Sequence, residues 1–339
     1  MHDTEIACNR ITHDRPAVLP SPLMKTSVLE SPTFLVGAER SGTTLLRLML
    51  SHHPQIAWCN EFEYAIDQVG PAGQFPALED YLEWLKIHRI FQATGFEAST
   101  GLSYGDLIKS FLVQKQVQED KPIVGATVHR HFDRLLKIWP QARFIHLIRD
   151  PRDVARSCIG MGWAGNVWTG SERWVEAEEC WDMLKQRLSD DRYVEITYED
   201  LISNPETVLT KLAHFLGTDY DPAMLQYSQD TTYEQPDSRF LNQWRRKLSD
   251  REIQLIESRV GALLVERGYT ASGLPAIQLS NREIQSLKLQ DWWTRANFRL
   301  QRYGAPLFVL NYVTSRLPVR TWHNTVQLKI NEIDSKHIK

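Results

Sequence analysis

Two glycines stand five residues apart between a short apolar run and a leucine-rich segment, in the order Gly37-x-x-x-x-Gly42-Thr43-Thr44. Glycine accepts backbone angles that other residues avoid, so successive N–H groups of such a loop can converge on one anion. A helix beginning at Thr43 would add the positive end of its dipole. The spacing therefore predicts a phosphate-binding loop (P-loop).

The position of the positive charge in this loop restricts the kinds of anion that it could bind. A P-loop nucleoside triphosphatase carries lysine directly after the second glycine, where it neutralises the β- and γ-phosphates. Here Thr43 holds that position, and the cation lies inside the loop at Arg40. Because the guanidinium fork of arginine binds planar oxyanions, we expect a phosphate-type group of lower charge than a triphosphate with Mg²⁺.

A second basic segment, IHLIRDPRDVARS at 145–157, follows a run typical of a buried strand. Arg149 would stand at the carboxyl end of that strand, where ligands bind in open α/β sheets. Ser157 would lie two turns into the following helix, so both side chains could reach one phosphate. Arg152 and Arg156 are interpreted as surface cations.

These segments need a scaffold, and short apolar strands alternate with helices along the chain. Strands are predicted over Thr33–Val36, 122–128, 142–148 and Tyr193–Tyr198, and helices over Thr43–His52, 131–139 and 171–189 and after Pro151 and Pro205. This alternation predicts an α/β fold of three layers, in which a parallel sheet is flanked by helices.

The chain divides into three parts by composition. Residues 1–31 are polar and rich in proline, and we predict a flexible arm; 32–275 form the α/β domain; 276–339 form a basic, aromatic-rich helical extension. From residue 281 onward ten Lys/Arg stand against four Asp/Glu, a balance of +6, within a chain of net charge −3. Such a segment either lies on a membrane surface or packs its aromatics inward as a cover or dimer face.

Overall composition excludes several protein classes. The 339 residues are 42% hydrophobic and 24% charged, as in an ordinary globular protein. A net charge of −3 argues against a nucleic-acid binder. The four cysteines are scattered without a CxxC pair, which predicts reduced thiols and a cytoplasmic location.

Taken together, the motifs resemble those of the sulfotransferases that use 3′-phosphoadenosine 5′-phosphosulfate (PAPS). Their 5′-phosphosulfate loop is similar to the segment Arg40–Thr44, and their 3′-phosphate motif to Arg149 and Ser157. A third stretch, YEDL at 198–201 followed by Asn204-Pro205, also matches. The resemblance covers about 33–270 and is nearest to the bacterial and tyrosylprotein branch. It implies the P-loop NTPase-like sulfotransferase fold, PAPS as donor, 3′,5′-adenosine bisphosphate (PAP) as product, and no metal.

The resemblance also implies which residues contact the nucleotide. They are Arg40, Ser41, Gly42, Thr43 and Thr44 in the loop, Arg149 and Ser157 at the 3′-phosphate, Tyr198 at the adenine, and Arg245 in a late basic loop. Arg40 would in addition act catalytically, by neutralising the bridging oxygen as it leaves.

Two residues are candidates for the general base that takes the acceptor proton. Glu61 follows the first helix and the Pro54 turn. The resemblance to the tyrosylprotein enzymes implies a base here, because they carry a glutamate base at a similar distance from the phosphate loop. His129 follows the strand at 122–128, roughly where cytosolic sulfotransferases carry a catalytic histidine. The sequence leaves both open. The aromatic stretch 160–168 is predicted to form an acceptor wall or lid, or to be core.

The function predicted from these observations is in-line transfer of a sulfuryl group from PAPS to an acceptor hydroxyl, less readily to an amine. The acceptor could be a small molecule, a lipid, a sugar or a peptide tyrosine; no nucleic acid is expected, and peripheral membrane contact could use the C-terminal extension. The alternatives are a P-loop kinase or hydrolase acting on a nucleoside triphosphate, and a non-catalytic nucleotide-binding module at a membrane or protein partner.

Overall fold

A computed structural model describes residues 30–316 and 320–336 of the chain. Within them lies one sheet of five parallel strands in the order β2-β3-β1-β4-β5. The strands are β1 (Thr33–Val36), β2 (Ile56–Glu61), β3 (Ile123–Val128), β4 (Arg143–Ile148) and β5 (Tyr193–Thr197). The arm predicted over 1–31 falls almost entirely outside the described residues.

Strand β1 shows why the sheet needs cover on both faces. Phe34 and Val36 pack into one hydrophobic cluster, and Leu35 between them packs into another on the opposite face. Successive side chains of a strand point to opposite faces, and a parallel sheet buried on both faces reads as a continuous apolar run. At the carboxyl end, Val36 pairs with Val128 of β3 and His146 of β4, which sets the loops after the three strands side by side.

Helices cover both faces and continue beyond the sheet. They are α1 (Thr43–Ser51), α2 (Leu78–Leu85), α3 (Arg89–Gln92), α4 (Tyr104–Glu119), α5 (Pro151–Gly160), α6 (Val167–Gly170), α7 (Glu172–Lys185), α8 (Tyr198–Ser203), α9 (Pro205–Leu216), α10 (Trp244–Lys247), α11 (Asp250–Val260), α12 (Leu263–Glu266), α13 (Asn281–Tyr303), α14 (Ala305–Thr314) and α15 (Arg320–Ser335). The prediction of a three-layer α/β fold with a helical C-terminal region is confirmed.

Three local predictions differ from the structure. Strand β2 was not predicted, and Glu61, which was placed only after the Pro54 turn, is the last residue of this strand. The segment predicted as a helix over 131–139 contains a 3₁₀ helix at Phe132–Lys137, which begins after His131 in a left-handed conformation (φ 54°). Tyr198 opens α8 instead of ending β5, because the Thr197 side chain caps that helix by accepting from the Asp200 N–H.

Arg152 is buried, and its interpretation as a surface cation is wrong. Its guanidinium donates to Asp150 at 2.7 and 2.9 Å and to Glu257 at 2.9 Å, and it lies 3.7 Å from the centre of the Trp244 ring. Only 2% of the residue is exposed. A buried arginine is tolerated when carboxylates match its charge, and here they join α5 to α11.

Helix α13 packs onto the α/β domain through specific contacts. Its Asp291 carboxylate accepts from the Gly165 N–H at 2.7 Å and from the Thr169 hydroxyl at 2.8 Å. A Cβ added at Gly162 would lie 2.3 Å from the Phe298 ring, so this ring rests directly on the loop backbone. The extension is therefore attached to the loop between α5 and α6.

Candidate active site

The glycines of the phosphate loop are required by close backbone approaches. Gly37 has φ 144°, and a Cβ there would lie 2.3 Å from the Leu147 carbonyl oxygen of β4. Gly42 has φ 95°, and a Cβ there would lie 2.3 Å from Cδ2 of Tyr198. Arg40 between them is also left-handed, at φ 72°. The loop thus turns tightly onto the nine-residue helix α1, whose first N–H groups have no acceptor within the helix.

The two basic segments predicted as separate anion sites meet in the structure. Arg40 Nε donates to Ser157 Oγ at 2.9 Å, and Arg149 Nη1 donates to the Arg40 carbonyl at 3.2 Å. Arg149 also donates to the Phe240 carbonyl at 3.2 Å and lies 4.1 Å from the centre of the Tyr198 ring. Asp153 lies 3.7 Å from the Arg149 guanidinium and balances part of its charge.

A cavity of about 430 Å³ opens beside these groups. Its lining combines the loop cations with flat apolar side chains: Arg40, Gly42, Thr43, Thr44, Leu45, Arg149, Tyr198, Ile202, Tyr233, Pro236 and Phe240 are among its residues. This volume lies within the range of small-molecule sites. Arg245 is not among the lining residues; it is exposed, with its guanidinium 4.4 Å from the Trp244 ring.

His129 is held on both ring nitrogens inside the protein. Its Nδ1 lies 2.6 Å from Glu63 Oε1, and its Nε2 lies 2.9 Å from the Thr43 hydroxyl. Glu63 also accepts from the His129 backbone N–H at 2.8 Å. Burial opposes the charges of both groups, but the contact between them prevails: it raises the pKa of His129 and lowers the pKa of Glu63. The arrangement favours an imidazolium–carboxylate pair.

Glu61 is the exposed last residue of β2 and lines two cavities together with Thr43, the first residue of α1. It lines a cavity of about 260 Å³ together with Arg47 and Arg89, and one of about 90 Å³ together with Arg40 and Trp163. Although solvent reaches the side chain, the surrounding protein removes part of its hydration; this effect, with the nearby Glu63 charge, raises the pKa of Glu61. A carboxylate with a raised pKa is suited to proton transfer.

A family model described as "Sulfotransferase family" matches residues 32–222, more than half of the chain. The chain belongs to this family. The chain is 24% identical over 212 residues to protein-tyrosine sulfotransferase A of Caenorhabditis elegans, a match that covers 58% of this chain and 52% of the worm protein. It is 30% identical over 144 residues to the omega-hydroxy-beta-dihydromenaquinone-9 sulfotransferase Stf3 of Mycobacterium bovis, covering 38% of this chain and 37% of that protein.

A solved structure shares the fold of the chain. The sulfotransferase domain from the curacin biosynthetic pathway superposes with a TM-score of 0.51 at 19% identity, covering 73% of this chain and 99% of that domain. The chain spans about half the length of the first curated relatives it matches. The predicted family and fold class are confirmed.

Several residues of the candidate site were not predicted from the sequence. The ion pair of Glu63 with His129 was not predicted, and only 3% of Glu63 is exposed. Tyr233 and Phe240 reach the 430 Å³ cavity from a segment without strong periodicity. Of the aromatic stretch 160–168, Trp163 lines the cavity of about 90 Å³ and Trp168 is buried. Within residues 30–316 and 320–336, no group of three His, Cys, Asp or Glu is placed to hold a metal ion.

Substituting Gly42 by alanine is expected to destabilise the loop more than its backbone angle alone would. Gly42→Ala combines a left-handed φ with the clash against Tyr198, and we expect a loss of roughly 3 kcal/mol in the free energy of unfolding. Gly217→Ala is the matched control, because φ there is 87° but no described atom lies within 4 Å of the added Cβ; its cost should be about 1 kcal/mol. Urea unfolding measures both, and equal losses would contradict the close Tyr198 contact.

Proposed function

We propose that this sulfotransferase transfers a sulfuryl group from PAPS to a hydroxyl group of an acceptor. The observation that carries the proposal is a shared wall: Thr43 and Thr44 line the 430 Å³ cavity and also both cavities that contain Glu61 and His129. A donor bound in the first cavity and an acceptor bound in the others would meet at the start of α1. Holding two reactants in adjoining volumes is the main requirement of in-line group transfer.

Arg149 supports an anionic nucleotide in the 430 Å³ cavity. It lines this cavity, and its buried Nε has no hydrogen-bond partner among the described residues. A buried donor without a partner is costly, and a phosphate group of PAPS beside this guanidinium would match its charge. When bound, PAPS supplies the activated sulfuryl group; Tyr198, Tyr233 and Phe240 offer apolar surface for its adenine.

Arg40 is proposed to stabilise the charge that develops on the leaving oxygen. Its Nε donates to Ser157, which holds the guanidinium in place, and Arg40 lines both the 430 Å³ and the 90 Å³ cavity. The loop N–H groups and the Thr43 and Thr44 hydroxyls would act with it. Donors fixed before the reaction need no reorganisation during it, which is the usual source of such stabilisation.

We assign removal of the acceptor proton to Glu61 rather than to His129. The geometry supports Glu61 because its carboxylate lines both small cavities, whereas each ring nitrogen of His129 is already in contact with Thr43 or Glu63. In this assignment His129 is a positioning residue: through Thr43 it ties the phosphate loop to β3 and Glu63.

The acceptor is proposed to approach through a cavity of about 810 Å³ between α2, α3 and α15, which adjoins the smaller cavities. His88 and Ile90 line both this cavity and the one of 90 Å³. The names of the two relatives specify a tyrosine and an omega-hydroxy compound, both of which carry a hydroxyl group. A hydroxyl-bearing acceptor is therefore favoured, and its class is left open.

Thermal unfolding with nucleotides tests the donor assignment. PAP at 100 times its Kd should add about 2.7 kcal/mol to the stability of the native state, whereas ATP–Mg²⁺ and GTP–Mg²⁺ should add little. Stabilisation by a triphosphate alone would overturn the proposal in favour of a kinase or hydrolase. If PAP stabilises the protein but no labelled sulfate is transferred to any of a panel of phenols and alcohols, the result would favour a non-catalytic nucleotide-binding module.

A further inference from the structure

The C-terminal helices carry large apolar side chains that remain exposed. Seven such side chains of α13–α15 are more than half exposed: Leu289, Trp292, Trp293, Val309, Leu310, Tyr312 and Trp322. In the described residues before 281, only Met183 and Val265 reach that level. Single exposed apolar residues are ordinary, but a concentration of them marks an interaction surface.

Helix α14 is the most apolar part of this surface. Its ten residues read APLFVLNYVT, and only Thr314 among them is buried. A helix that is apolar around its whole circumference belongs inside a protein or against lipid. The end of this helix bends back to α15 at the Thr314–His323 contact, so α14 forms one arm of a helical hairpin.

The exposed tryptophans are held on a fixed support. Asp291, next to Trp292, is anchored to Gly165 and Thr169 of the α/β domain. The rings of Trp292 and Trp293 lie 6.2 Å apart, on residues that are exposed while Asp291 is buried. Tryptophan is the side chain most enriched where protein meets the headgroup region of a bilayer.

The charge of this region decides between possible partners. Three of its four acids are engaged within the protein: Glu283 caps α13 and contacts Arg251, Asp291 holds Gly165, and Asp334 accepts from Tyr303. Arg299 and Lys329 are exposed and are adjacent in sequence to the exposed Leu300 and Leu328. Two copies of a surface with a balance of +6 would repel each other, whereas an anionic lipid surface would attract it.

We propose that helices α13–α15 dock the enzyme on the surface of an anionic lipid bilayer, with the exposed tryptophans and α14 entering the headgroup region. No helix of the described residues is long and apolar enough to cross a membrane. Apolar contact and attraction of basic residues together give reversible surface binding. The surface uses none of the residues assigned to the donor site.

Flotation of the full-length protein with vesicles tests this surface. Binding to phosphatidylcholine vesicles that contain about one third phosphatidylglycerol should exceed binding to pure phosphatidylcholine by about tenfold and should weaken as NaCl is raised. The double variant Trp292→Ser/Trp293→Ser should lower the partition coefficient about tenfold. Val265→Ser, which removes an equally exposed apolar side chain elsewhere, should leave it unchanged.

A charge-reversal pair separates the two contributions. Arg299→Glu/Lys329→Glu should abolish the preference for anionic vesicles, whereas Arg187→Glu on the α/β domain should retain it. Unaltered melting temperatures will show that the variants fold. Absence of binding by the wild-type protein, or binding that the tryptophan variant leaves intact, would overturn the proposal. A dimer in light scattering that the tryptophan variant dissociates, without lipid binding, would assign the surface to a second copy of the chain.

Discussion

Substitution of Glu61 by glutamine is expected to lower kcat by about 10²- to 10⁴-fold, the usual contribution of a general base. Glutamine keeps the shape of the side chain but cannot accept the acceptor proton. The Kd for PAP should stay close to that of the wild type, because Glu61 does not line the 430 Å³ cavity. Initial rates with PAPS and a phenol or alcohol that the wild-type enzyme accepts will measure the first quantity, and calorimetry with PAP the second.

The pH profile gives an independent reading of the same residue. A general base works only when ionised, and the pKa of Glu61 is raised. The acid limb of kcat/KM should therefore lie above the ordinary glutamate value of about 4.3, and it should disappear in Glu61→Gln. Glu266→Gln, an exposed acid on α12, serves as the control.

His129 provides the comparison that can contradict the assignment. Replacing His129 by asparagine removes the contact with Thr43 and leaves Glu63 buried without its partner, so we expect both weaker PAP binding and lower stability. Near-normal turnover in Glu61→Gln, together with an acid limb that vanishes only in His129→Asn at unchanged PAP affinity, would transfer the role of base to His129.

Substitution of Arg149 by alanine is expected to raise the Kd for PAP by about 10- to 100-fold, the range of a lost hydrogen bond to a charged group. Its guanidinium lies half-buried between Tyr198 and the carbonyls of Arg40 and Phe240, and the residue lines the 430 Å³ cavity. Isothermal titration with PAP is the direct measurement.

Arg245→Ala is the matched comparison for Arg149. The sequence placed Arg245 at the 3′-phosphate through its resemblance to a late basic loop, but in the structure its guanidinium stacks on Trp244 outside the cavity lining. We expect less than about a twofold change in Kd, as is ordinary for an exposed charge. A large loss in Arg245→Ala with none in Arg149→Ala would exchange the two roles.

The sequence predicted those parts of the fold whose local pattern matches their final environment. Strand β4 is apolar at four of its six positions because it is buried on both faces, and Pro151 marks the first turn of α5. Strand β2 was not predicted because it is an edge strand, paired only with β3, and because its last residues, Asn60 and Glu61, are polar and exposed. Its apolar portion alone is too short to distinguish from a loop.

The candidate site was predictable where backbone geometry demands particular residues and unpredictable where distant charges meet. Gly37 and Gly42 are required by loop conformations that a spacing motif records. The burial of Arg152 depends on Glu257, more than one hundred residues later, and the burial of Glu63 depends on His129. A single sequence shows each charge but not its partner, so the surface position predicted for Arg152 is wrong and the partner of Glu63 was not predicted.

The attachment of α13 has a consequence for the order in which this molecule is completed during synthesis. The loop that carries Trp163 is fixed by Asp291, 126 residues after the Gly165 that it contacts, and Asn331 donates to the Ile87 carbonyl across 244 residues. The parallel sheet is complete at Thr197, so a nascent chain can assemble it before α13 and α15 have been made. Gly165 and Ile87 gain these partners only afterwards, so the sheet forms first and the loop that carries Trp163 becomes fixed later.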